Sequence, residues 1–177
     1  MDKTLIVMMG PAAVGKSYFA KKIQESHDDC VIISRDKIRF ALLKDGEDYF
    51  AKENEVLRQF YHNINFALQN HKYVIADATH ISKRSRNQLF RNVNINKVRV
   101  VGVWIEVPVD VALKQNQART GRGVVPDDVI RNMFKSKCSP QEGEPFNDVV
   151  FVSPHQDMAI GKVSTGIESV VKKLERI

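Results

Sequence analysis

The sequence predicts an α/β domain in which a parallel β-sheet is covered by helices on both faces. Two observations carry that expectation. Short, continuous apolar runs alternate with helical-period segments from end to end, the pattern of strands joined by crossover helices. The length of 177 residues, with 43% apolar and 27% charged side chains, suits one domain with a substantial core and no disordered bulk.

Leu5–Met9 is an unbroken apolar run that stops at Gly10, which predicts a strand buried on both faces. From about Lys16 to Glu25, Phe19, Ala20 and Ile23 recur on one side of a helix. Cys30–Ile33 predicts a second strand, followed by the polar step Ser34-Arg35-Asp36 and a short helix over 37–42. A long helix is expected from about Tyr49 to Gln69, where Val56, Leu57, Phe60, Ile64 and Leu68 keep helical spacing. Tyr73–Ala76 is the third strand and ends in Asp77-Ala78-Thr79. Ser82 reads as the cap of a basic helix running to about Val93. Val98–Val107 is the fourth strand, and Pro108 opens a helix to about Ala118. Pro126 opens another, with Asp127 and Asp128 in the first turn, where the helix dipole favours acids. Asp148–Val152 is the last strand, and a closing helix is expected over about Thr165–Glu175. The whole of 1–177 reads as one domain.

Composition excludes several classes. No apolar run approaches the roughly 20 residues of a membrane span, and the N-terminal run is too short before Gly10-Pro11 for a signal peptide. Cys30 and Cys138 have no C-x-x-C spacing, and the five His show no metal-ligand spacing. The expectation is a reduced, cytoplasmic protein that does not engage a membrane. The formal charge of +6 suits an anionic partner without identifying one.

The strongest motif is Gly10-Pro11-Ala12-Ala13-Val14-Gly15-Lys16-Ser17, which matches G-x-x-x-x-G-K-[ST] at every fixed position, between a buried strand and a helix. Backbone N–H groups of such a loop, with the helix N-terminus, point at a phosphate. Lys16 is expected on the β- and γ-phosphates and the Ser17 hydroxyl on Mg²⁺. Ala12, Ala13 and Val14 stand where glycine would allow any φ, and a left-handed conformation at one of them costs about 1–2 kcal/mol.

The loop alone leaves GTPase, motor, transporter and kinase open. The sequence step Ser34–Arg39 follows the second strand, at the sheet edge where doubly wound folds bind ligands. A carboxylate there, Asp36, can take the proton of an attacking hydroxyl; the alternative is that it caps the following helix. Arg39, three residues on, lies on the same helical face and could grip an acceptor phosphate. Asp77 is expected to support the metal shell or the acceptor, with a turn cap as the other reading. Arg119-Thr120-Gly121-Arg122-Gly123 reads as a mobile lid that brings a cation to the transferring phosphate, or as a solvated turn.

Taken in order, the phosphate loop, Ser34–Arg39, Val74–His80, Lys114–Arg119 and Val125–Ile130 resemble the phage-type 5′-hydroxyl polynucleotide kinases, over about residues 3–138. The resemblance implies an adenylate-kinase-like, three-layer P-loop kinase fold with a five-stranded parallel sheet and a small helical lid at about 114–138. It implies ATP and Mg²⁺ as cofactors and transfer of the γ-phosphate to a 5′-hydroxyl end of DNA or RNA. On that resemblance Asp36 matches the general base, and Arg39 the arginine on the acceptor's phosphate. Arg119 matches the lid arginine on the donor phosphates, while Asp77 and Thr79 fall on the acceptor side. Gln115 stands where the family has a second lid arginine, with Arg122 available from the loop, and His80 where it has Asn. Two other readings stay open: a small-molecule kinase like the zeta-toxin-like enzymes, using the same Asp36, and a nucleotide-binding regulatory module. Lys83, Arg84, Arg86 and Arg91 are expected to line part of a nucleic-acid channel or to form a solvated face, with no run of exposed aromatics beside them to stack bases.

Overall fold

The computed structural model describes residues 3–153 and residue 172. The elements follow the order β1 (Lys3–Met9), α1 (Lys16–Glu25), β2 (Cys30–Ser34), α2 (Arg35–Leu42), α3 (Glu53–Asn70), β3 (Tyr73–Asp77), α4 (Lys83–Asn92), β4 (Val98–Ile105), α5 (Val109–Gln117), α6 (Asp127–Ser136) and β5 (Asp148–Val152). A single 3₁₀ turn at Gly121–Gly123 interrupts the segment between α5 and α6. The closing helix expected at 165–175 lies outside the described residues except for Lys172.

The five strands form one sheet in the order β2-β3-β1-β4-β5, and every adjacent pair is parallel. β1 is therefore central, flanked by β3 and β4, and is buried almost throughout. Because side chains alternate across a strand, its apolar run serves two cores at once. Ile6 and Met8 pack with Phe19, Ala20 and Ile23 of α1 and with Ala112 and Leu113 of α5 and Ile130 of α6. Leu5, Val7 and Met9 face the other way, onto Phe60, Ile64, Ala67 and Leu68 of α3 and Leu89 of α4. The expected three-layer α/β architecture is thus the observed one.

Several boundaries differ from expectation, and two of the differences matter for the site. α2 starts at Arg35, since the Ser34 side chain accepts from the Lys37 N–H and is the cap; Asp36 is left free for other work in the first turn. α3 starts at Glu53 rather than near Tyr49, so residues 43–52 form a connecting segment that returns Tyr49 to α2. Pro108 and Pro126 stand one position before their helices, at the cap. β4 ends at Ile105 rather than Val107, although Val107 remains buried.

The basic face expected on α4 is corrected at one position. Lys83, Arg84 and Arg91 are exposed, but Arg86 is wholly buried. Its Nε and Nη2 donate to the two Glu144 carboxylate oxygens at 2.6 and 2.8 Å. The remaining donors reach the carbonyls of His80 (3.1 Å), Cys138 (2.8 Å) and Ser139 (3.2 Å). A guanidinium has five N–H groups, and this one has a partner for each. It fastens the segment after α6 to α4 and to the turn beyond β3. Among the described residues no helix is long and apolar enough to cross a membrane.

Removing one partner of a fully buried ion pair leaves the other charge uncompensated, at about 3–5 kcal/mol. Glu144→Leu is expected to lower stability by about that amount in urea unfolding, and Arg86→Met/Glu144→Leu by clearly less than the single change. Equal losses in the two variants would show that the pair itself is not what holds the segment.

Candidate active site at the C-terminal edge of the sheet

The chain leaves β1 at Gly10 and turns through Pro11–Gly15 into α1. Gly10 has φ 140°, and a Cβ there would lie 2.7 Å from the Ile105 carbonyl oxygen, so only glycine passes. Its N–H donates to the Thr79 carbonyl at 2.9 Å, which ties the loop to the turn after β3. Ala13 adopts φ 62°, so the left-handed cost anticipated for the alanine-rich loop falls on that residue. Gly15, at φ 96°, precedes the first residue of α1. On the outer side the Ala12 N–H points at the Met133 sulfur of α6, 3.4 Å away.

Lys16 curls back over this loop, its ammonium donating to the Pro11 carbonyl at 2.6 Å. Burial pushes it down to about 8; the Asp77 and Asp36 carboxylates oppose that shift, and the Arg119 guanidinium adds to it. One lysine thus feels the ends of β3 and β2 and the start of the lid together. The Ser17 hydroxyl donates to Asp77 Oδ2 at 2.8 Å. Asp77, on the last residue of β3, is raised above the ordinary carboxylate range by burial, partly offset by that hydrogen bond and by Lys16. A hydroxyl and a carboxylate side by side beside a phosphate loop are the hard oxygen donors that Mg²⁺ takes together with substrate phosphates and water, so Ser17 and Asp77 fit that ion. Asp77 caps no helix: Ser82 does so for α4, in a reciprocal capping box with Ser85.

Asp36 projects from the first turn of α2 with its side chain 63% exposed. Its Oδ1 accepts from Arg39 Nη1 and from the Tyr49 hydroxyl, both at 2.8 Å. Among the described residues no hydrogen bond reaches Oδ2. Arg39 is buried: Nη2 donates to Glu53 Oε2 at 2.5 Å, Nη1 also reaches the Tyr49 oxygen at 2.8 Å, and the Tyr49 ring centroid lies 4.2 Å from the guanidinium carbon. Arg35 donates to the other Glu53 oxygen. Burial, together with the Asp36 charge, raises the Tyr49 phenol to about 12, so it remains a donor. Tyr49 and Glu53 were not foreseen as site residues. The acidic first turn of α3 was a visible signal for Glu53, but its pairing is a tertiary fact.

The lid residues divide. Arg119 is exposed, donates to the Gly123 carbonyl at 3.2 Å, and is near enough to act on Lys16. Arg122 pairs with Asp45 beyond α2 and does not join the loop cluster. Gln115 is exposed on α5. Thr79 supplies its backbone carbonyl to Gly10, and His80, at φ 42°, places Nδ1 3.0 Å from the Met8 carbonyl. Burial pushes His80 down to about 4, so this imidazole is neutral and holds the base of the loop.

Residues 5–138 match the AAA domain family. The chain belongs to that family. Among solved structures, this AAA domain is similar to a chain of the Pnkp1/Rnl/Hen1 RNA repair complex, with 23% identity over 76% of this chain and 43% of that one, and a TM-score of 0.66. It thus spans less than half the length of that chain. It is also similar to the Mycobacterium tuberculosis APS kinase CysC in complex with AMPPNP and APS, with 14% identity, 98% of each chain covered and a TM-score of 0.66. A gluconokinase from Sinorhizobium meliloti 1021 matches with 16% identity over 98% of this chain and 97% of that one, at a TM-score of 0.60. At such identities the likeness establishes the P-loop kinase fold. No curated protein matches the chain.

The Lys16 value sets a pH dependence. With a free-state value of about 8, the lysine of the unliganded loop is charged at pH 7 and mostly neutral at pH 9. Polyphosphate binding restores the charge, so ATP affinity is expected to fall about tenfold from pH 7 to 9, with proton uptake on binding. Lys16→Arg stays charged and should show neither effect in calorimetry. Fold stability moves the other way. The folded value lies below the ordinary 10.5, so the unfolded chain holds the extra proton and stability gains from about pH 8 to 10.5.

Proposed function

We propose that this domain is an ATP-dependent phosphotransferase that moves the γ-phosphate to a 5′-hydroxyl end of DNA or RNA, with Asp36 as general base. The observation that carries the reading is the state of Asp36: one oxygen held by Arg39 and Tyr49, the other without a hydrogen bond among the described residues, and the carboxylate near enough to Lys16 of the phosphate loop to act on it. A positioned carboxylate with a free lone pair is what deprotonation of an attacking hydroxyl requires. The hydroxyl oxygen attacks the γ-phosphorus, the bond to the β–γ bridging oxygen breaks, and the proton goes to Asp36 Oδ2.

Residues Gly10, Pro11, Ala12, Ala13, Val14 and Gly15 wrap the donor phosphates, Lys16 meets the β- and γ-oxygens, and Arg119 adds positive charge from the lid. Ser17 and Asp77 would hold Mg²⁺, which supplies charge neutralisation at the transferring phosphate. Asp77 and Thr79 border the acceptor side. The match to a chain of an RNA repair complex supports a nucleic-acid acceptor.

A second reading, transfer to the hydroxyl of a small molecule, is favoured by a specific observation. Arg35 and Arg39 are matched by Asp36 and Glu53, so this cluster has no net positive charge to draw an acceptor phosphate. The matches to APS kinase and gluconokinase support that reading of the fold.

Labelled γ-phosphate from ATP with Mg²⁺ should appear on a 5′-hydroxyl oligonucleotide. Asp36→Asn is expected to fold, to bind ATP and to lose transfer by at least about 100-fold; near-normal activity would remove Asp36 from its role. Arg39→Ala separates the two acceptors. With a nucleic acid, the acceptor KM should rise more than the ATP KM; with a neutral small molecule, kcat should fall through Asp36 while the acceptor KM holds.

A further inference from the structure

Beside Asp36, and not used by the chemistry above, is a cleft of about 140 Å³ lined by Phe40, Leu43, Gly46, Glu47, Tyr49 and Arg122. It lies between the C-terminal end of α2, the segment that follows it and the lid. Its size is informative. An apolar cavity of about 150 Å³ takes one benzene ring, whereas drug-sized ligands fill about 300–1,000 Å³. A single flat ring system fits here.

The wall nearest the site is Tyr49, whose hydroxyl is the group that donates to Asp36. Its ring is fixed on several sides. The Arg39 guanidinium lies 4.2 Å from the ring centroid, the Phe50 ring meets it edge-on at 4.9 Å, and Phe40 does so at 6.3 Å. Even so, Tyr49 is 36% exposed and Phe50 62% exposed. Rigid, exposed aromatic surface held by a cation is the arrangement on which nucleobases stack. The absence of exposed aromatics noted for α4 is therefore made good elsewhere, on the segment that the sequence assigned to a helix.

We propose that this cleft is the subsite for the nucleobase of the acceptor, the ring attached to the sugar whose hydroxyl reaches Asp36. The proposal rests on the phosphotransfer reading and deepens it by naming a nucleoside end as the acceptor. One side chain, Tyr49, borders both the cleft and the base, so the occupant of the cleft and the reacting hydroxyl belong to one small unit. Phe40, Leu43 and the Tyr49 ring give the cleft an apolar wall on which a sugar's hydroxyls gain nothing, while Glu47 and Arg122 at its border can meet the polar edge of a base. A base brings a π-face.

The test uses the whole chain, ATP and two oligonucleotides that differ only in whether the 5′-terminal nucleotide carries a base. The abasic end is expected to lose at least about fivefold in kcat/KM, chiefly in KM, the scale of one stacked base. Leu43→Trp, which fills the cleft, should bring the ratio between the two ends close to one. Equal use of both ends by the unaltered protein would overturn the subsite while leaving the kinase reading intact. Calorimetry of cytidine and of ribose, with a non-hydrolysable ATP analogue saturating the loop, reads the cleft without catalysis. Binding of cytidine but not ribose, lost in Leu43→Trp, supports the subsite even if no oligonucleotide is phosphorylated, an outcome that would overturn only the polynucleotide reading. Binding of neither overturns the subsite.

Discussion

The site depends on how closely the chain passes β4 as it leaves β1. At Gly10 the backbone runs so near the Ile105 carbonyl that a single added carbon would lie 2.7 Å from its oxygen, and on its other side it donates to Thr79. The phosphate loop is thus stitched to the strands on both flanks of β1. Everything that touches the loop inherits its position from that passage: Lys16 and Ser17 at the head of α1, Asp77 at the end of β3, and His80 beneath. The left-handed Ala13 is tolerated because these neighbours over-determine the turn, which is how local strain persists at functional sites.

Charge is organised in two neighbouring groups with opposite habits. Around the loop, Lys16 and Asp77 act on each other and Arg119 acts on Lys16, in a partly dry space where burial moves the lysine down and the aspartate up. Both shifts describe a site short of a counter-charge for its loop, and a polyphosphate with its cation would supply what each lacks. Beside it, Arg35, Asp36, Arg39 and Glu53 close on themselves. That second group fixes one carboxylate oxygen in place. Its internal balance also means that the cluster presents no net charge of its own to an incoming anion.

Much of the scaffold was legible in the sequence because the signals were local. The apolar run Leu5–Met9, the G-x-x-x-x-G-K-S spacing and the alternation of strand and helix each depend on neighbours in the chain. Asp36 and Asp77 were legible as carboxylates at strand ends, but their choice between cap and site was not. The structure removes the cap reading, because Ser34 and Ser82 take the capping roles. Tyr49 was hidden because apolar spacing from Tyr49 onward reads as helix, whereas residues 43–52 fold back so that its hydroxyl meets Asp36. Arg86 misled for a related reason: its partner Glu144 is 58 residues away, and an arginine on a basic helix gives no local sign of burial.

The strand order also bears on how the chain reaches this state. β1 pairs with β3 and β4, and β2 pairs with β3, but β1 and β2 do not touch as strands. Until Tyr73–Asp77 exists, neither of the first two strands has a partner in the sheet. The apolar run Leu5–Met9, wholly buried in the finished core, must therefore wait through some seventy residues of growing chain before its first ladder can close. Non-local parallel pairing of this kind is slow to form and leaves apolar strands exposed meanwhile. A nascent chain halted before β3 carries the whole phosphate-loop motif with no sheet to hold it.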